Sequence, residues 1–293
     1  MIPQEIVNNI RTFFSKEEEI NIDVYIKKPI GGGCINSAFE IKVDNKVYFL
    51  KYNNKMAFPL MFEQERKGLE LLSSTNTFRI PEVIHCDNTK NYSYLLLEMI
   101  EAGKPLNDFF TEFGKQLARL HSNTSTTFGL DHDNYIGSLN QYNKQHDNWS
   151  DFFVTERLEP LVENAVSSGN IPSSIINRFT SLFYKLDNIF PTEKPSLLHG
   201  DLWNGNYIVD KKGNPVLIDP AVYYGHREMD ISMSLLFGGF SPEFYNSYND
   251  ILPMEKGWQD RVEVCNIYPL LVHIILFGSS YLEPIKRTLT RFT

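Results

Sequence analysis

The segment Leu198–Asn206, with the sequence LHGDLWNGN, constrains this chain more than any other feature. It carries Asp201 and, five residues later, Asn206, and Asp219 follows thirteen residues beyond that. A short apolar run precedes each acidic residue, which predicts two strands that end at these side chains. Phosphoryl transfer needs this set of groups: one carboxylate for the acceptor hydroxyl, and an amide oxygen and a second carboxylate for Mg²⁺.

The spacing matches the catalytic-loop pattern HxDxxxxN of kinases through His199, Asp201 and Asn206, with Asp219 as the metal-binding aspartate of the next strand. We therefore predict that Asp201 is the catalytic base and that Asn206 and Asp219 are metal ligands. Each residue alone could be a turn or loop residue, since Asp and Asn favour such places. The agreement of spacing, flanking strands and upstream partners favours a kinase of small molecules. His199 is predicted to be structural, bonding backbone near the loop.

Composition excludes several other classes of protein. The 293 residues suffice for one large domain or two modest ones, with 42% hydrophobic and 22% charged residues, as in soluble globular proteins. The formal charge of −8 argues against nucleic-acid binding, which depends on clustered basic residues. No apolar run reaches the roughly 18 residues of a membrane span, and the N-terminus does not resemble a signal peptide. Three widely spaced cysteines fit a reducing cytoplasm.

The order of predicted elements indicates two lobes. Residues 22–52 read as three antiparallel strands, 59–73 as a helix, and 83–86 and 92–99 as two further strands. After a Gly/Pro connector at 101–105 the pattern is mainly helical. We predict an α+β, bilobal, protein-kinase-like fold, with a β-rich ATP-binding N-lobe at 1–100, a mainly helical C-lobe at 101–293 and the site in the cleft between them.

Two backbone segments are candidates for nucleotide binding. The run Gly31-Gly32-Gly33 lies between two predicted strands, which excludes a Walker A loop because no helix and no Gly-Lys-Ser/Thr follow. Without Cβ atoms this run would allow the backbone to approach phosphates, although a flexible hairpin turn remains the alternative. The stretch Glu98-Met99-Ile100 at the end of the fifth strand is predicted to offer backbone groups to adenine.

Lys51 on the third predicted strand is the candidate for gripping the nucleotide phosphates. It has apolar or aromatic neighbours and follows the glycine run by one hairpin. Kinases orient such a lysine with a glutamate of the following helix. We predict Glu65 for this role and leave Glu63 as the alternative, because the helix phase alone does not decide between them.

With these residues in place, the chain resembles the fructosamine kinase (ketosamine kinase) family, a branch near the aminoglycoside and choline kinases. The resemblance covers nearly the whole length and rests on GGGCINSAFEI at 31–41, EQERKGLELL in the helix, HGDLWNGN at 199–206 and IDPAVYYGHREMDISMSLLFGGF at 218–240. The last two segments are the most specific, and every catalytic position of the pattern is occupied.

The resemblance implies ATP- and Mg²⁺-dependent phosphorylation of the sugar 3-hydroxyl of a ketosamine, which is a deglycation activity on free amines or protein lysines. The preferred sugar and the oligomeric state, monomer or homodimer, stay open. One alternative is an aminoglycoside- or choline-type phosphotransferase with the same machinery. The other, from a different class, is a non-catalytic nucleotide-binding regulatory protein.

The same segments supply candidates for the acceptor pocket and for regulation. Trp203 is placed to wall the pocket against a sugar or a cationic amine, although a core tryptophan is an equal alternative. Further pocket candidates are Tyr223, Tyr224, His226 and Arg227, the last of which could instead form a structural ion pair. Cys34 beside the glycine run suggests redox control by resemblance, with a merely small residue as the alternative. Asp230 is predicted to cap a helix.

Overall fold

A computed structural model describes residues 2–18, 24–30 and 35–293 of the chain. The glycine run Gly31–Gly33 and Cys34 therefore lie outside the described residues.

The first third of the chain forms a five-stranded antiparallel sheet covered by two helices. Its strand order is β1-β2-β3-β5-β4, so the third and fifth strands are neighbours at the centre. The elements are α1 (Gln4–Glu18), β1 (Val24–Pro29), β2 (Ser37–Val43), β3 (Lys46–Asn54), α2 (Met61–Ser74), β4 (Val83–Asn88) and β5 (Tyr92–Glu98).

Both faces of this sheet are buried, which explains its apolar central strands. Along β5, Leu96 packs on the side of α1, whereas Leu95 and Leu97 pack on the side of α2. Because side chains alternate along a strand, Leu50 of β3 faces α1 and Lys51 faces the opposite side, where it pairs in register with Leu95. The alternation therefore points Lys51 towards α2 and the rest of the chain.

The remainder of the described chain is mainly helical, with three short two-stranded β pairings. The predicted α+β fold class is confirmed. Among the described residues, no helix is both long and apolar enough to cross a membrane. The elements are α3 (Phe109–His121), β6 (Asn134–Ile136), β7 (Leu139–Gln141), α4 (Trp149–Phe152), α5 (Glu159–Ser167), α6 (Ile176–Phe183), α7 (Leu186–Ile189), β8 (Ser196–Leu198), β9 (Tyr207–Val209), β10 (Pro215–Leu217), β11 (Tyr223–Gly225), α8 (Glu228–Leu236), α9 (Pro242–Ile251), α10 (Trp258–Cys265), α11 (Ile267–Phe277) and α12 (Leu282–Phe292).

One apolar core joins the sheet to the helices beyond it. Leu69 of α2 and Leu97 of β5 belong to the same buried cluster as Phe113 of α3, Leu217 of β10 and Phe244 of α9. The two parts are thus packed together as well as linked by the connector, and the boundary at residue 100 stays a prediction.

The close contact between α3 and α9 depends on Gly114. A Cβ at this position would lie 2.1 Å from the carbonyl oxygen of Phe244 and 2.3 Å from Ser247 Oγ. We expect Gly114→Ala to lower the free energy of unfolding by about 1–2 kcal/mol, because overpacking outweighs the better helix propensity of alanine. Urea unfolding tests this, with Arg119→Ala on the exposed side of α3 as the control. Equal or greater stability of the Gly114 variant would contradict it.

Candidate active site

Strand pairing brings the two predicted catalytic segments together. β8 runs into the loop at 199–206, and β11 returns antiparallel beside β8. Between them, the Ile218 N–H donates to the Asn206 carbonyl (3.1 Å) and the Ala221 N–H donates to the His199 carbonyl (2.9 Å). The chain therefore turns back after the loop, so that Asp219 lies next to the loop that holds Asp201.

Asn206 orients the carboxylate of Asp201. Its Nδ2 donates to Asp201 Oδ2 and to the Asp201 carbonyl oxygen, both at 2.8 Å. Burial raises the pKa of Asp201 to about 7, and the hydrogen bond from Asn206 opposes this rise. Because the amide nitrogen of Asn206 is committed to Asp201, its Oδ1 is the atom left to meet a cation. The pair thus combines a carboxylate able to take a proton near neutral pH with one oxygen ligand.

Lys51 lies between two carboxylates. Its Nζ is 2.7 Å from Glu65 Oε1 and 2.5 Å from Asp219 Oδ1, whereas Glu63 is not among its partners. Burial alone would lower the pKa of Lys51, but the charges of Asp219 and Glu65 raise it well above its usual value. The lysine is therefore a permanent cation, held against the residue predicted to bind the metal. Asp219 itself has φ 53°, a left-handed conformation that aspartate tolerates better than most residues.

Asp230 holds the backbone of the catalytic loop, and the prediction that it caps a helix is wrong. It lies inside α8, whose cap position is Arg227. Its carboxylate accepts the backbone N–H groups of His199 (2.7 Å) and Gly200 (2.9 Å), and His121 Nε2 lies 3.2 Å away. Burial would raise the pKa of Asp230, but these partners lower it, so the carboxylate stays ionised.

The imidazole of His199 faces the interior of the loop. Its Nε2 lies 3.0 Å from the Ile218 carbonyl oxygen, and burial lowers its pKa. The next residue, Gly200, has φ 83°, and a Cβ there would lie 1.9 Å from the Ala221 carbonyl oxygen. Only glycine allows the two segments to come this close.

A small pocket opens beside Asp201, and only one of the predicted pocket candidates lines it. That candidate is Tyr223, which is buried. The other lining residues carry no local signal in the sequence, because the apolar runs that contain them resemble ordinary core helices and strands. The lining residues are Ile136, Gly200, Asp201, Tyr223, Met229, Met233, Tyr268 and Pro269.

The other candidates lie elsewhere. Trp203 is half-buried, with its ring edge against Phe237 at 5.8 Å. Tyr224 is half-buried against the core that joins sheet and helices. His226 is fully buried, and Arg227 forms a two-point ion pair with Glu193 at 2.6 and 2.8 Å. The structure thus places the last two in a buried ionic cluster, away from the residues that line the pocket.

The segment predicted to meet adenine follows the central strand β5. Glu98 ends that strand, and its carboxylate is 2.5 Å from Arg79, which also contacts Asp210 at 2.9 Å. Met99 and Ile100 come next, and among the described residues no hydrogen bond engages their backbone N–H groups.

A strand lysine paired with a helix glutamate, next to a loop that carries an aspartate and an asparagine, is typical of a protein-kinase-like fold. A model of the family described as "Fructosamine kinase" matches residues 6–293. The chain belongs to the fructosamine kinase family.

Named relatives are similar over most of their length. The chain is 40% identical over 268 residues to a "Probable ketoamine kinase" of Enterococcus faecium, covering 90% of this chain and 94% of that protein. It is 37% identical over 257 residues to the chloroplastic protein-ribulosamine 3-kinase of Arabidopsis thaliana, covering 86% of this chain and 78% of that protein. These relatives support a kinase.

Solved structures share the fold. A crystal structure named as a "Putative fructosamine-3-kinase" from Haemophilus somnus superposes with a TM-score of 0.87 at 29% identity, covering 97% of this chain and 96% of that one. An aminoglycoside phosphotransferase superposes with a TM-score of 0.61 at 13% identity, covering 97% and 96%, and shows the fold alone.

The contacts of Asp230 predict a large loss of stability on its replacement. We expect Asp230→Asn to lower the free energy of unfolding by about 3 kcal/mol at pH 7, because buried donors lose their charged acceptor. Since the folded-state pKa of Asp230 is lowered, this contribution is present above the unfolded value and is lost as pH falls through the folded one. Denaturant unfolding at pH 7 measures the loss of stability, and unfolding below about pH 4 measures its dependence on pH. The exposed variant Asp250→Asn is the control. A loss no larger than that of the control would contradict this.

Proposed function

We propose that this protein transfers the γ-phosphoryl group of ATP to the 3-hydroxyl of the sugar of a ketosamine. The observation that carries the proposal is the convergence of two pairs: Asp201 with Asn206, and Lys51 with Asp219. The first pair suits an acceptor hydroxyl and the second suits nucleotide phosphates.

On the donor side, Lys51 binds the phosphates and Glu65 holds its ammonium group in place. The contact of Lys51 with Asp219 would then be exchanged for a contact with phosphate oxygens, which frees the Asp219 carboxylate. The glycine run Gly31–Gly33 covers the phosphates in this proposal, and the backbone at Met99 meets adenine.

The donor set of the site fits Mg²⁺. Asn206 Oδ1 and the Asp219 carboxylate are hard oxygen ligands, which Mg²⁺ prefers, and Mg²⁺ characteristically completes its shell with phosphate oxygens and water. When bound, the ion neutralises charge on the phosphates during transfer. Asn206 serves both halves of the site, because its amide nitrogen orients Asp201 while its oxygen is left for the cation.

On the acceptor side, Asp201 accepts the proton of the sugar hydroxyl as that oxygen forms its bond to the γ-phosphorus and the bond to ADP breaks. A base with a pKa near 7 is well matched to this task at neutral pH. The sugar binds against the opening of the small pocket beside Asp201, and Tyr223 lies in the wall of that pocket. Trp203, two residues after Asp201 in the same loop, stays a candidate for contact with the amine group of the acceptor.

The relatives support the substrate class. Their names, ketoamine kinase and protein-ribulosamine 3-kinase, favour a ketosamine over an aminoglycoside or choline. Phosphorylation at the third sugar oxygen would make a labile adduct and so remove sugars from amines or protein lysines. By the same resemblance, oxidation of Cys34 beside the glycine run would obstruct nucleotide binding.

Replacement of Asp201 tests the chemistry. We expect Asp201→Asn to lower kcat on the best ketosamine by about 10²–10⁴-fold, the usual contribution of a general base. Its stability at pH 8 should not fall, because burial raises the pKa of this carboxyl and its ionised form therefore opposes folding. The kcat is measured from ADP formation in the presence of Mg²⁺ with ribulose-lysine, fructose-lysine, an aminoglycoside or choline as the acceptor. Thermal unfolding at pH 8 measures the stability.

The results of this panel test both the substrate class and the assignment of Asp201 as the base. Turnover on a ketosamine that is lost in Asp201→Asn but kept in Asp250→Asn supports the proposal. Turnover only on the aminoglycoside or choline would overturn the substrate class. Undiminished turnover in Asp201→Asn would overturn the assignment of the base.

The raised pKa of Asp201 also predicts a pH profile. Only the carboxylate can take the acceptor proton, so kcat/KM for the acceptor should rise with pH up to a plateau, with a midpoint near or somewhat below the pKa of about 7, because bound Mg²⁺ favours the carboxylate. Initial rates between about pH 5 and pH 9 would show this rise. Its persistence in the residual activity of Asp201→Asn would assign it to another group.

A further inference from the structure

The short β6–β7 hairpin lies against both halves of the proposed site. Ile136 of β6 lines the pocket beside Asp201. At its other side, Tyr135 Oη donates to the carbonyl of Pro59 in the loop before α2, at 2.9 Å. No motif in the sequence marks this hairpin, and its residues take no part in the proposed phosphoryl transfer.

Two buried amides fasten the hairpin to the segment that carries Asp219. Gln141 is 2% exposed, and its Nε2 donates to Asn134 Oδ1 (2.7 Å) and to the Ala221 carbonyl (3.0 Å). Asn134 Nδ2 in turn donates to the Val222 carbonyl at 2.8 Å. Ala221 and Val222 follow Asp219 directly after one proline, so these bonds fix the backbone next to the proposed metal ligand.

The same glutamine also fixes the wall of the pocket. Tyr268 Oη donates to Gln141 Oε1 at 2.6 Å, and Tyr268 lines the pocket together with Asp201. The two ends of one amide group therefore reach different halves of the site. Its nitrogen end holds the Asp219 segment, and its oxygen end holds the acceptor wall.

A buried cation, Arg157, contacts both the pocket tyrosines and the amide network. The guanidinium of Arg157 lies 4.1 Å from the ring centre of Tyr223 and 5.5 Å from that of Tyr268. Its Nη2 donates to Asn143 Oδ1 (2.7 Å), and Asn143 Nδ2 donates to Asn134 Oδ1 (3.0 Å). Both pocket tyrosines and the amide network are thus held by one fully buried side chain.

We propose that Gln141 is a positioning residue that sets the acceptor pocket in register with the Asp219 segment. The inference rests on the proposed function. In-line transfer needs the acceptor oxygen close to the γ-phosphorus and opposite the bond to ADP, and a misplacement of about 1 Å can lower the rate by about 10²-fold. Without the Gln141 link, both substrates still bind, but the acceptor hydroxyl is misplaced. Water then competes as the acceptor, which yields ADP and inorganic phosphate.

The coupling between ATP consumption and acceptor phosphorylation tests this directly. We expect Gln141→Met, which keeps the side-chain length but makes neither bond, to form at least about tenfold less phosphorylated ketosamine per ADP released. The KM for ATP should stay within about twofold, because Lys51 and its partners are untouched. Tyr268→Phe, which removes only one hydroxyl, should shift the ratio in the same direction and serves as the second variant if Gln141→Met does not fold.

A double variant and a matched control separate positioning from simple destabilisation. If both residues act through one bond, Gln141→Met combined with Tyr268→Phe should uncouple no more than Gln141→Met alone. Tyr94→Phe removes a buried hydroxyl in the sheet, packed against α1, and should leave the ratio unchanged.

The outcomes are distinct. Wild-type product with an unchanged product-to-ADP ratio in Gln141→Met and Tyr268→Phe overturns the inference and leaves the proposed function standing. Absence of any phosphorylated ketosamine from the wild-type protein overturns the proposed function itself. A reduced ratio in both variants, with Tyr94→Phe at the wild-type value, supports the role of Gln141.

Discussion

The buried carboxylate of Asp230 is the interaction on which the rest of the site depends. It accepts the backbone N–H groups of His199 and Gly200, and so fixes the loop that carries the proposed base. Its own place is set by α8 and by His121 from α3, two elements far apart in sequence. Because those donors would be unpaired without it, the loop conformation and the packing of these helices stabilise each other.

Around that loop, charge is arranged for binding rather than for stability. Burial raises the pKa of Asp201 to about 7, so its ionised form opposes folding at neutral pH. Lys51 lies between Glu65 and Asp219, and under the proposed function phosphate oxygens replace its contact with Asp219. Such groups are typical of functional sites, where perturbed pKa values are concentrated. The left-handed backbone of Asp219 is a further unfavourable conformation of the kind that is concentrated at functional sites.

Much of the fold followed from local patterns. Alternating apolar residues predicted the five strands and helical spacing predicted α2, because one buried face per element leaves a periodic trace. The motif spacing predicted that Asp201, Asn206 and Asp219 belong together. It did not predict Asp230 correctly, since a carboxylate in the first turn of a helix resembles a cap until its partners are known. The bond between Gln141 and Tyr268 left no signal, because the two residues are 127 positions apart in the sequence.

By itself, the sequence determined the family, the α+β class and the grouping of Asp201, Asn206 and Asp219, because these depend on spacing within short segments. Only the tertiary structure decided the partner of Lys51. Glu63 and Glu65 point to roughly opposite sides of α2, and the packing of that helix on the sheet determines which side faces Lys51. It also decided that Arg227 pairs with Glu193 and that Tyr268 walls the pocket. The physical reason is that hydrogen bonds and burial act between side chains brought together by folding, and one-dimensional spacing does not record those distances.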